Sequence, residues 1–237
     1  MKIAIHQPDY IPWLGYFYKI YLSDVFVFLD DSQFQKNYLN NRNKIKTPQG
    51  WTYLTIPVER KDGLSTNINE TRTIDEMNWK EKHLKALEMN YKRCPYFNEI
   101  FPEIKELIEK EYNNLAELNE ALIIHIATKF GILPKVVVAS STLNIKSTKE
   151  ERVLEICKRF NADEYLSGNG AKDYQNEEDF IKEGIKLTYI NYKPIKYSQR
   201  FGEFIECMSV LDYIFNKGYD FEYIIGEIEG TVWKKLH

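Results

Sequence analysis

Val25-Phe26-Val27-Phe28-Leu29 leaves this chain few choices. Five consecutive apolar residues, ended by Asp30-Asp31, suit a strand covered on both faces, and such strands belong to parallel sheets with helices above and below. Just before it, Lys2 to Gln7 alternates like a strand, and Pro12 to Tyr21 has helical periodicity begun by a proline, a residue tolerated in the first turn. The chain therefore opens as a βαβ unit.

Alternation resumes later. Lys135 to Ala139 is a β-branched run, and Thr148 to Phe160 reads as a helix with Ser147 as cap and Glu150 three residues on. Strand Glu164-Tyr165-Leu166, helix Glu177 to Glu183, strand Lys186 to Tyr192 and helix Met208 to Asn216 complete the pattern. In between, residues 50–58 are strand-like and close on the turn signal Lys61-Asp62-Gly63. Glu76 to Tyr91, Glu99 to Lys110 and Leu115 to Phe130 are helical, punctuated by Pro95, Pro102 and Gly131. The expected fold is α/β: a mainly parallel, Rossmann-like (nucleotidyltransferase-like) sheet with a helical insert in the middle third. Residues 1–237 read as one domain, with a helical subdomain around 75–131.

Charge narrows the partners. The 32 basic and 35 acidic residues are interspersed and give a formal net charge of −3, so no basic stripe offers a track for nucleic acid. No stretch reaches the roughly 18 apolar residues of a membrane span, and MKIAIHQPDY lacks the apolar core and cleavage site of a leader, which predicts a cytoplasmic protein. Cys94, Cys157 and Cys207 are widely spaced and form no CxxC pair, so neither a disulfide framework nor a thiolate zinc site is expected, and the sequence carries no metal signature.

Parallel sheets bind ligands beyond the carboxyl ends of their strands. Three loops qualify: His6 to Tyr10, Asp30 to Phe34, and Ser167 to residue 174. His6 follows the first strand in a loop stiffened by Pro8 and Pro12, where an imidazole can serve as general acid or base; the bland reading is a loop-to-helix tie. Asp30 and Asp31 can orient a substrate hydroxyl or amine, hold a divalent ion, or simply cap a turn. Arg42 and Lys44, in a donor-rich stretch with Asn43, suit phosphates or an ordinary surface loop. Gly168 lets backbone N–H groups approach a phosphate, although Ser167-Gly168-Asn169-Gly170 is neither GxGxxG nor a P-loop. His83, on a helix beside Trp79 and Leu87, is a further catalytic candidate, weighed against a structural role.

The run His6-Gln7-Pro8-Asp9-Tyr10-Ile11-Pro12-Trp13-Leu14-Gly15-Tyr16-Phe17 resembles the opening signature of the WbqC-like family. Further matches are Phe28 to Phe34, Asn41 to Ile45, His83 near Tyr91 and Pro95-Tyr96-Phe97, Tyr165 to Gly168 with Tyr174, and Met208 to Asp212. The resemblance implies a bacterial protein of O-antigen (lipopolysaccharide) or other surface-polysaccharide biosynthesis, where nucleotide sugars are modified. Within the candidate loops and matched segments, Gln7, Tyr10, Trp13, Gln33, Arg42, Asn43, Lys44, Ser167, Gly168 and Tyr174 are the substrate-binding candidates, and His6, Asp30, Asp31 and His83 the catalytic ones. Pathway, loops and fold together point to a transferase or ligase modifying the amino group of a nucleotide-linked amino sugar by acyl or aminoacyl attachment. The alternative is a non-catalytic nucleotide-sugar-binding or scaffold protein serving a glycosyltransferase, with pathway enzymes or a second copy of the chain as partners. A looser likeness to nucleotidyltransferase-like ligases admits ATP as co-substrate, although their closely spaced paired histidines are missing.

Overall fold

The computed structural model describes residues 1–59, 66–173 and 175–236. The Lys61-Asp62-Gly63 turn and Tyr174 lie outside them.

Strands β1 (Lys2–His6), β2 (Val25–Phe28), β5 (Val136–Ala139), β6 (Glu164–Gly168) and β7 (Lys186–Ile190) form one sheet in the order β5-β2-β1-β6-β7. Every pairing in it is parallel. The apolar run at Val25–Phe28 is its second strand, and all four side chains are buried. Phe26 and Phe28 point into the larger core with α1 (Leu14–Tyr21), α2 (Trp79–Tyr91), α3 (Phe97–Glu109), α4 (Leu115–Lys129) and α7 (Val210–Lys217). Val25 and Val27 turn to the smaller core under α5 (Lys149–Arg159) and α6 (Glu177–Lys182). The period-two alternation of a strand assigns neighbours to opposite faces, so one sequence run feeds both cores.

This strand order reverses direction between β1 and β6. The chain steps outward from β1 through β2 to β5, then returns to β6 on the other side of β1, which leaves a crevice beyond the carboxyl ends of β1 and β6. His6 ends one of these strands and Gly168 the other.

Several local expectations change. The polar stretch at 42–44 is a strand rather than a loop: β3 (Arg42–Thr47) pairs antiparallel with β4 (Gly50–Thr55). Its buried Asn43 and Lys46 hide the apolar alternation by which such a hairpin is recognised. Pro102 lies inside α3, within the helix expected from Glu99 to Lys110, which begins two residues earlier at Phe97. The cap of α5 is Thr148, while Ser147 Oγ bonds Glu155 at 2.6 Å. A final helix, α8 (Phe221–Leu236), was not anticipated.

Candidate functional site at the β1–β6 crevice

Backbone geometry fixes His6 first. Its carbonyl accepts Leu29 N–H at 2.8 Å, and its Nδ1 lies 3.1 Å from the Gln7 carbonyl. A carbonyl only accepts, so Nδ1 carries the proton and the Nε2 lone pair is left free. The ring packs edge-on against Tyr16, centroids 4.6 Å apart, and keeps 36% of its side-chain surface exposed. Burial, then the Lys19 charge, lowers His6 to about 3, so the imidazole is neutral at pH 7.

Beneath it lie two buried ionisable groups whose charges act on one another. Asp9 is 2% exposed, lies 3.9 Å from His6 Nδ1 and accepts from Asn40 Nδ2 at 3.0 Å. Lys19, 5% exposed, reaches back from α1 to donate to the Ile5 carbonyl at 2.8 Å. Burial raises Asp9 to about 7 against the Asn40 hydrogen bond and the Lys19 charge, and burial lowers Lys19 to about 7 against Asp9.

The loop above is braced from several sides. Asn119 Nδ2 bonds the Pro8 and Asn40 carbonyls, and Asn43 Nδ2 bonds those of Tyr10 and Ile11. Ile11 is held at φ +38°, a region that β-branched residues avoid; such strain costs about 1–3 kcal/mol and persists where surroundings over-determine the backbone. Gly15 is required for close approach, because a Cβ there would meet the Trp13 ring at 2.4–2.6 Å.

The neighbouring acids are tied down. Asp30 accepts from Ser141 N at 2.9 Å, Ser141 Oγ at 2.5 Å, Ser140 Oγ at 3.1 Å and Asn69 Nδ2 at 3.1 Å, which stitches the end of β2 to the segment after β5. Asp31 pairs with Arg152 and Ser140. Three donors on the Asp30 carboxylate, with the Ser140 hydroxyl shared between it and Asp31, favour an anchor over a free catalytic group. Ser167 is likewise committed, donating to Gln175 at 2.8 Å, whereas an added Cβ at Gly168 or Gly170 would meet nothing within 4 Å.

A family model described as the WbqC-like protein family matches residues 7–222. The chain belongs to that family. Rv1507c, an uncharacterized protein of Mycobacterium tuberculosis, is 37% identical over 219 residues, covering 92% of this chain and 94% of that protein. No solved structure matches.

The family's signature segments serve different purposes. His6 and Gln7 line the crevice, whereas Tyr10 and His83 are buried partners of one another: Tyr10 OH lies 2.9 Å from His83 Nδ1, and His83 Nε2 lies 3.1 Å from the Thr55 carbonyl. Nε2 must therefore be the protonated nitrogen and Tyr10 the donor to Nδ1. Burial lowers His83 to about 4, and with both nitrogens engaged this ring is a strut. Asn43 is a brace, as above. Arg42 and Lys44 lie on the outer face of the hairpin, stacked over Tyr53 and Trp51 at 4.2 and 4.8 Å, and Arg42 also donates to the Asn37 carbonyl. Gln33 is exposed and bridges to Asn67. Trp13 meets Tyr192 edge-on at 5.2 Å beside Tyr197, Phe204 and Met208.

Met208 to Asp212 anchors the long segment between β7 and α7. Asp212, fully buried, accepts from Tyr91 at 2.9 Å and Tyr197 at 2.8 Å, while the Lys46 ammonium bonds Gln199 and the Glu203 carbonyl.

Sequence reasoning did not single out Lys19, Asn40, Asn119 or Glu120. Glu120, on α4 beside Asn119, is partly buried; burial, Asp30 and Glu117 raise it to about 8. Its helical period is the only signal of inward placement. A second groove, about 540 Å³ between α2 and α3, is lined by mixed charges such as Lys80, Glu81, Lys105 and Glu109. It contains no buried titratable group and offers no comparable chemistry. Among the described residues no set of three His, Cys, Asp or Glu side chains is placed to hold a metal ion, and no helix is long and apolar enough to cross a membrane.

Proposed function

We propose that the chain is a transferase or amide-forming ligase of surface-polysaccharide biosynthesis that acylates or aminoacylates the amino group of a nucleotide-linked amino sugar. The observation that carries this reading is the neutral His6 ring, its Nδ1–H held on the Gln7 carbonyl and its Nε2 lone pair free at the switch-point crevice. An N–H of the attacking amine donates to Nε2. As nitrogen adds to the acyl carbon it gains positive charge and becomes acidic, so His6 takes the proton, the bond from carbon to the leaving group breaks, and the proton passes to that group. Arg42 and Lys44 would hold phosphates at the hairpin face, and Gly168 and Gly170 leave open space for backbone donors. A ligase variant would first activate the carboxylate with ATP and release AMP or pyrophosphate.

The test is mass spectrometry of purified protein incubated with nucleotide-linked amino sugars, acyl or aminoacyl donors, and ATP. The expected result is a mass gain at the amine. A general base contributes ~10²–10⁴ in rate, so His6→Ala should lose turnover by that order while nucleotide-sugar affinity changes little. Full turnover in His6→Ala refutes the assignment. Tight binding without conversion, together with stimulation of a glycosyltransferase, would favour the scaffold alternative.

A further inference from the structure

His6 Nε2 has a free neighbour. The half-buried Gln7 side chain is held by its oxygen: Gln7 Oε1 accepts from Asn40 Nδ2 at 3.2 Å, and the other N–H of that amide goes to Asp9 Oδ1 at 3.0 Å. Turning the Gln7 carboxamide round would set one NH₂ group against another, and turning Asn40 round would set its oxygen against both acceptors. Gln7 Nε2 is therefore the free end of the amide, and it has no hydrogen-bond partner among the described residues.

The rest of the residue is fixed as firmly. The Gln7 carbonyl accepts His6 Nδ1–H at 3.1 Å and the Tyr16 hydroxyl at 3.0 Å, and the buried Pro8 follows it. Asn40 has no exposed surface, and its backbone carbonyl accepts from Asn119 Nδ2 at 2.8 Å, so the group that aims the Gln7 amide is itself anchored. Asp9, the other acceptor of Asn40, lies 3.9 Å from His6 Nδ1, which closes a ring of contacts from His6 through Asp9 and Asn40 back to Gln7. Two successive residues, both partly exposed, thus offer complementary groups: a lone pair on His6 and an N–H donor on Gln7. A donor fixed in place before the ligand arrives costs no reorganisation when charge develops on an acceptor beside it.

We propose that the Gln7 carboxamide is the donor that holds the carbonyl oxygen of the acyl group being transferred, with Asn40 as the positioning residue that aims it. As the amine nitrogen adds to the acyl carbon, the carbonyl π pair moves onto oxygen, and Gln7 Nε2–H donates to the resulting oxyanion. His6 Nε2 takes the proton from the amine. The pair then returns to re-form the carbonyl, the leaving group departs with its bonding electrons, and His6 hands it the proton. This assignment deepens the acyl-transfer reading and rests on it for the acyl group.

The experiment is calorimetric titration of wild type, Gln7→Met and Asn40→Ala with UDP-N-acetylglucosamine, which keeps the acyl carbonyl of a product, and with UDP-glucose, which lacks it. One hydrogen bond to the carbonyl should make wild type bind UDP-N-acetylglucosamine about fivefold tighter. Gln7→Met should bring that ratio near one, and Asn40→Ala should lower it while UDP-glucose affinity holds. In wild-type NMR spectra the Gln7 side-chain amide protons should move downfield with UDP-N-acetylglucosamine and stay with UDP-glucose, a readout that decides even where a variant fails to fold. Equal affinities in wild type, an undiminished ratio in Gln7→Met, or unmoved amide protons overturns the donor; binding of neither probe overturns it together with the nucleotide-sugar reading. In the turnover assay Gln7→Met should lower kcat by about 10²–10³ with a smaller change in KM. Full turnover in Gln7→Met beside loss in His6→Ala removes the donor alone, and a Gln7-dependent preference without conversion removes the transferase reading alone.

Discussion

Replacing Lys19 by methionine tests the buried charge arrangement beneath His6. Methionine matches the length of the lysine stem, so packing is largely kept while the ammonium and its bond to the Ile5 carbonyl are lost. Burial lowers Lys19 from 10.5 to about 7. Between those values the unfolded chain binds a proton at Lys19 that the folded protein does not, so wild-type stability rises with pH across this window. Each pH unit of full difference is worth about 1.4 kcal/mol. From pH 7, where the folded group is half protonated, to pH 9 the gain is about 2 kcal/mol. The variant lacks that gain. Asp9, deprived of the Lys19 charge that lowers it, would titrate still higher in the variant, which widens the gap in the same direction. Urea denaturation of both proteins at pH 7, 8 and 9 measures the difference, and titrations common to the two cancel. A wild-type advantage that grows by about 2 kcal/mol or more supports the arrangement. A difference that stays flat across the three pH values shows that folded Lys19 ionises normally, and the account of the crevice floor fails.

Gly15→Ala should destabilise, because its Cβ would meet three atoms of the Trp13 ring at 2.4–2.6 Å. Overpacking of this kind costs about 1–3 kcal/mol, a Tm loss of roughly 2–12 °C at this chain length, and the loss should vanish or reverse in a Trp13→Ala background. His83→Phe leaves the Tyr10 hydroxyl and the Thr55 carbonyl unpaired inside the protein, which should cost about 2–4 kcal/mol in chemical denaturation while sparing the chemistry of the folded fraction. An unchanged midpoint would remove the structural reading of His83.

The parallel sheet was legible because burial on both faces leaves an unbroken apolar run, as in β2, and because the strand–helix alternation brackets it. The position of His6 at a strand end followed from the same pattern. The hairpin was not legible. In β3, Lys46 is buried by pairing with Gln199, and Asn43 by bonding two carbonyls, so polar residues occupy positions that alternation reserves for apolar ones. Lys19 and Glu120 were hidden for the opposite reason: each sits in an amphipathic helix where a charged residue ordinarily faces water. Their inward placement depends on helix packing that no local pattern encodes. Asp30 and Asp31 were correctly found at the strand end, yet their hydroxyl and guanidinium partners come from residues 140, 141 and 152, more than a hundred positions away.

The central claim is that the crevice beyond β1 and β6 receives a nucleotide-linked amino sugar. Backbone amide shift mapping by NMR, during titration with UDP-glucosamine, tests it most directly. The account predicts perturbations concentrated at residues 6–10, 167–170 and 119–120, with a further set at 42–44. Perturbations confined to the groove between α2 and α3, or none at saturating ligand, would contradict it.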